Sequence, residues 1–219
     1  MGDQVAEKDS VFASKKRTRL LPLLLGIAVA VIIVLSYTSL TYYQQARDRD
    51  ANYRGQYAIV QMMESSIEEM ITNIDMTMND SYNLTQRYQS LQHATANFGV
   101  LSMSCEFMKN MFSSGSEEYL TFGELEDASN TTLIACNQML LKMWDNITTG
   151  APYFHDLTRA TAISNATDMF RDIIHYIDLG IDPSRDWQRD PYSVVSGMDL
   201  DGIRAEAELI VDTVPISPY

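Results

Sequence analysis

The stretch KKRTRLLPLLLGIAVAVIIVLSYTSLTYY constrains this chain more than any other. Leu20 to Tyr43 contains no charged residue. As a helix rising 1.5 Å per residue it would be about 36 Å long, enough to cross a hydrocarbon core of about 30 Å. Pro22 falls in the first turn, where its missing N–H removes no hydrogen bond. Tyr37, Tyr42 and Tyr43 suit the far membrane interface. Lys15, Lys16, Arg17 and Arg19 precede the run, and such basic charge marks the cytoplasmic side. A cleaved signal peptide would have an apolar core of about 7–15 residues followed by a small-x-small site. Leu20–Leu35 is at or above that length, and SYTSLTYYQQA lacks a good site.

The sequence therefore predicts four parts. Residues 1–19 form a basic cytoplasmic tail, 20–43 a transmembrane signal-anchor helix, 44–213 an extracytoplasmic helical domain and 214–219 a C-terminal tail. The expected location is the cell membrane, single-pass, with the N-terminus cytoplasmic and the lipid bilayer as one partner. Gly26 and Ala30 form a small-xxx-small pair, which lets two anchor helices approach closely. Ordinary membrane-helix composition explains the same two residues.

Charge beyond residue 43 is strongly one-sided, with 26 acidic against 11 basic residues. Such a surface repels phosphate backbones, which argues against nucleic acid as a partner. It would attract divalent cations or a basic protein, although a solvated acidic surface needs neither.

Five N-x-S/T triplets occur, at Asn79, Asn83, Asn130, Asn146 and Asn165. Chance gives about one or two at this composition. All five fall on the expected outer side and are candidate N-glycosylation sites. Cys105 and Cys136 are the only cysteines. Outside the cytoplasm an even pair usually bonds, which makes them a candidate disulfide. In an antiparallel helix pair that bond needs a connection centred on about Leu120 to Phe122. A tight turn at Ser113–Ser116 would instead separate the two cysteines by roughly 15 Å along the axis, beyond disulfide reach. Bonding between chains is the alternative.

Helical spacing dominates the outer region, and strand alternation is absent. Val60, Met63, Ile67, Met70, Ile74 and Met78 step by three and four. NDSYN interrupts that stripe or kinks the helix that carries it, and a second stripe runs from Leu84 through Tyr88, Leu91, Thr95, Phe98, Leu101, Cys105 and Met108 to Phe112. Residues 113–128 read as a connection because of Gly115 and Gly123, with room for a short helix at 116–121. A third stripe comprises Leu133, Cys136, Leu140, Met143 and Ile147. A fourth helix is expected over about 153–179, with Ile163, Phe170, Ile173, Ile174 and Ile177 inward. Residues 180–198 read as loop, and a short last helix covers about 200–213. The fold class is all-α: one N-terminal transmembrane helix followed by a bundle of about four helices.

No nucleophile-elbow, phosphate-loop, dinucleotide or zinc-protease motif is present. Asp168, Asp172 and His175 share one helix face and are the best metal candidates. That face lies opposite the apolar one, so a solvated polar surface is the simpler account. GMDLDGIRAEAE places Asp199, Asp201, Gly202 and Glu208 as in a calcium loop, but Gly197 stands where the first aspartate belongs. Capping of the last helix by Asp199 or Asp201 explains these residues more simply. No cofactor is implied. The reading that results is a non-enzymatic, membrane-anchored interaction or structural protein, N-glycosylated, with a protein partner or a second copy of itself. The alternative is a ligand-binding or sensor accessory subunit with a pocket between helices.

Overall fold

The computed structural model describes residues 3–150 and 157–215, with side chains described for 30–150 and 158–215. Five α-helices follow one another: α1 (Asp3–Met78), α2 (Leu84–Lys109), α3 (Glu117–Thr149), α4 (Leu157–Asp178) and α5 (Leu200–Thr213). A 3-10 turn at Val195–Gly197 precedes α5. Among the described residues there is no strand, as the spacing requires. The chain divides into two compact units, Met1–Asp50 and Ala51–Tyr219.

In the first unit, Val31 to Leu35, Tyr37, Leu40, Tyr42 and Tyr43 are all exposed. The hydroxyls of Thr38 and Thr41 donate to the carbonyls of Val34 and Tyr37 in the preceding turn, at 3.0 and 2.6 Å. Among the described residues no helix is long and apolar enough to cross a membrane. Residues 20–29 of the expected span, Gly26 among them, lie outside those whose side chains are described.

The second unit is a helical bundle. From α1, Val60, Met63, Ile67, Met70 and Ile74 are buried, the stripe expected from the spacing. They meet Leu91, Phe98, Leu101, Cys105 and Met108 of α2, and Phe122, Leu125, Cys136, Met139 and Met143 of α3. Ile163, Phe170, Ile173 and Ile177 of α4 and Ile203, Ala207 and Ile210 of α5 complete the core. Each of the buried Val, Leu, Ile, Met and Phe side chains contributes roughly 1.5–3 kcal/mol by leaving water.

Local chemistry fixes the helix ends. Asn83 caps α2: its Oδ1 accepts the Gln86 N–H at 3.0 Å, while the Gln86 Oε1 accepts the Asn83 N–H at 3.1 Å. That reciprocal pair satisfies two donors left over at a helix start. The buried Arg87 locks the same hairpin, donating to the Thr77 carbonyl at 2.7 Å and to Asp80 Oδ1 at 2.9 Å. Asp199 caps α5 through the Gly202 N–H at 2.9 Å, the role the sequence favoured over calcium binding.

Two expectations need correction. Residues 117–128 are not a connection. Ser116 caps α3, accepting the Tyr119 N–H, and Glu117 and Glu118 stand in its first turn. Gly123 is an interior helical residue, with open space beside it apart from Lys109 Cδ. The α2–α3 turn is therefore short, and its register follows. Lys109 pairs with Glu126, the Ser129 hydroxyl donates to the Phe98 carbonyl, and Tyr88 meets Trp144. Cys105 then lies opposite residues near 126, about ten residues and roughly 15 Å from Cys136. The second correction is that the expected disulfide is absent. Both cysteines are free and fully buried. Burial pushes both thiols up, Cys136 to about 12, which keeps them protonated and unreactive. Burial equally removes them from any partner chain.

Candidate functional site

The α2–α3 hairpin leaves apolar side chains on its outer side. Met139 and Met143 of α3 turn into the core, which sets Leu141 and Trp144 outward, 71% and 53% exposed. Trp144 packs on Tyr88 of α2, ring centroids 5.7 Å apart and tilted by 37°. These residues, with Gln92, Asn137 and Leu140, line a groove of about 470 Å³. Along α2, Val100, Met103 and Phe107 step by three and four on the face away from the core and are exposed as well. Thr95 is spent locally, its hydroxyl donating to the Leu91 carbonyl at 2.7 Å. Helical spacing puts Tyr88 in the buried stripe and does not mark Trp144. Helical period alone does not tell a core edge from a groove wall.

A second feature joins elements far apart in sequence. Glu64 of α1 is hydrogen-bonded to Asp178 at the end of α4. Partial burial, that hydrogen bond and the neighbouring Asp178 and Glu68 charges push the Glu64 carboxyl up to about 8. At neutral pH the pair therefore holds a proton. Tyr57, two turns before, is itself raised, chiefly by burial and then by its neighbours Tyr192 and Glu64. Its ring stacks on Trp187 at 4.4 Å.

A linkage prediction follows. In the unfolded chain a glutamate deprotonates near 4.5, whereas Glu64 in the fold holds its proton to about 8. The stability due to the neutral carboxyl is fully present below 4.5 and is lost as pH rises through about 8. The urea midpoint of the wild type is expected to fall between pH 5 and pH 9, and Glu64→Gln to flatten that fall. Equal slopes for the two proteins would remove Glu64 as its cause.

The residues singled out in the sequence are dispersed. Asp168 pairs with Arg171, which also reaches Asp75 Oδ2 at 2.8 Å, and Asp168, Asp172 and His175 are exposed. Asp172 faces Glu206 and raises its carboxyl, after burial. Among the described residues no three metal-binding side chains are gathered. Of the N-x-S/T asparagines, Asn79, Asn83 and Asn165 are exposed, while Asn130 and Asn146 are half-buried. Ala30 is exposed. Compared with protein-family models, with curated proteins and with solved structures, the chain matches none.

Proposed function

We propose that this chain is a membrane-anchored, non-enzymatic interaction protein whose helical bundle lies outside the cytoplasm and docks a protein partner through the α2–α3 groove. The observation that carries this reading is the exposure of Leu141 and Trp144, which line one groove with Tyr88 and Leu140. Large apolar side chains grouped on a surface mark interaction sites, and Trp and Tyr dominate binding energy at such sites. The anchor is supported by the charge-free run Leu20–Tyr43 and its basic flank.

The test is cross-linking in native membranes. The wild type is expected to give a defined cross-linked species, with another protein or with itself. The double variant Leu141→Glu/Trp144→Glu is expected to weaken that association by about 30-fold or more, a hot-spot loss. Both positions are exposed, so the helical circular dichroism should be unchanged. An unaltered cross-link in the variant would eliminate the groove as the contact, and a lone monomer would eliminate the reading.

A further inference from the structure

A groove of about 560 Å³ lies between α1 and α2, beside the hairpin turn. It falls within the ~300–1,000 Å³ of small-molecule sites. Its walls include Asn73, Tyr82, Gln86, Gln89, Ser90 and His93, and no carboxylate, lysine or arginine lines it. Ser90 lies on its floor, more than nine-tenths buried. Amides donate and accept at once, as sugar hydroxyls do, and a tyrosine ring offers an apolar face.

Asn83 sits at the groove's edge, since Gln86, which it caps, is one of the walls. The cap uses Asn83 Oδ1 alone. Asn83 Nδ2 makes no hydrogen bond with any described residue, and the side chain is exposed. The hydroxyl-bearing Thr85 of its triplet is exposed too. Asn130 and Asn165 contrast with it. Their threonines, Thr132 and Thr167, are buried in mid-helix and bonded to the Ala128 and Ile163 carbonyls.

We propose that Asn83 carries an N-linked glycan and that the α1–α2 groove seats its first sugars. This rests on the reading that the bundle lies outside the cytoplasm. In the transfer, a bond forms between Asn83 Nδ2 and C1 of the sugar as C1 parts from a lipid-linked diphosphate. The diphosphate leaves with the electron pair, and the amide proton passes to a base of the transferase. The cap survives, because Oδ1 remains free to accept the Gln86 N–H.

The full chain is expressed in a glycosylating eukaryotic cell, and sites are read by release with peptide-N-glycosidase in ¹⁸O-water and mass spectrometry. Asn83 is expected to be occupied. Its glycan should leave the native protein at least about tenfold more slowly than from the unfolded chain or from the Gln89→Ala/His93→Ala variant. Both substituted positions are exposed, which leaves the bundle intact. An unmodified Asn83 beside modified triplets elsewhere would overturn the inference and leave the outside location standing. Absence of sugar at every triplet would remove both. An occupied Asn83 whose release is equal in wild type and variant would overturn the seat.

Discussion

Phe98→Ala is expected to cost about 3–5 kcal/mol of folding stability, the range for emptying a buried phenylalanine site. Phe98 is fully buried, and its ring lies 5.5 Å from that of Phe170, tilted by 59°. It therefore ties α2 to α4, while its own carbonyl accepts the Ser129 hydroxyl of α3 at 2.8 Å. Truncation removes the ring from three-way packing, and its rigid neighbours close the gap only in part. Single domains have about 5–15 kcal/mol in all. At roughly 2–4 °C per kcal/mol for a domain this size, the thermal midpoint should fall by about 6–20 °C. Thermal unfolding followed by circular dichroism reads it directly. A fall of less than about 2 °C would mean that α2 and α4 are not held together through this pair.

The second large effect is expected at Gly180. A methyl group there would stand 2.2 Å from the Val194 carbonyl oxygen and 2.8 Å from Met198 Cγ. The first of these is backbone, which cannot swing aside as a side chain does. Gly197 approaches from the other strand of the same crossing, its own added carbon 3.1 Å from Gly180 Cα. Gly180→Ala must therefore lift the 180–198 loop off the end of α4, at a cost of about 1–3 kcal/mol or more. Trypsin should then cut after Arg185 and Arg189 faster than in the wild type, and Trp187 fluorescence should shift as its stack on Tyr57 loosens. Unchanged cleavage would show that the loop absorbs the methyl without moving.

Much of this architecture was legible in the residues, and the misses have definite causes. The last helix was placed at 200–213, where α5 lies, because Asp199 can cap it and Leu200, Ile203, Ala207 and Ile210 keep one face. The α1 stripe was legible for the same reason. The extent of α3 is not legible because Gly123 reads as a breaker and confines any helix there to 116–121, whereas the helix capped by Ser116 runs through Gly123 to Thr149. That error moved the centre of the α2–α3 turn toward Leu120 and with it the cysteines into false register. The groove around Trp144 was not legible. Exposure there depends on which helix covers which flank, and spacing within one helix does not contain it. Nor was the Glu64–Asp178 contact, which joins residues more than a hundred positions apart.

The 180–198 loop returns to α1 through three ties. Arg54 donates to the Gln188 carbonyl at 2.6 Å, the Ser193 hydroxyl bonds Gln56 Oε1 at 3.2 Å, and Tyr57 stacks on Trp187. The two hydrogen bonds span 134 and 137 residues, against 10 for the Thr77–Arg87 hairpin bond. Closing the larger loop costs about 2 kcal/mol more in chain entropy. It also imposes an order in time. A ribosome adds about 5–20 residues per second, so Arg54, Gln56 and Tyr57 wait roughly 7–27 s for their partners to be made. Through that interval the hairpins α1–α2 and α2–α3 are free to form, but this patch of α1 stays bare. A nascent chain of this protein therefore carries an unsealed seam until Trp187, Gln188 and Ser193 are made, the interval in which a chaperone would have something to hold.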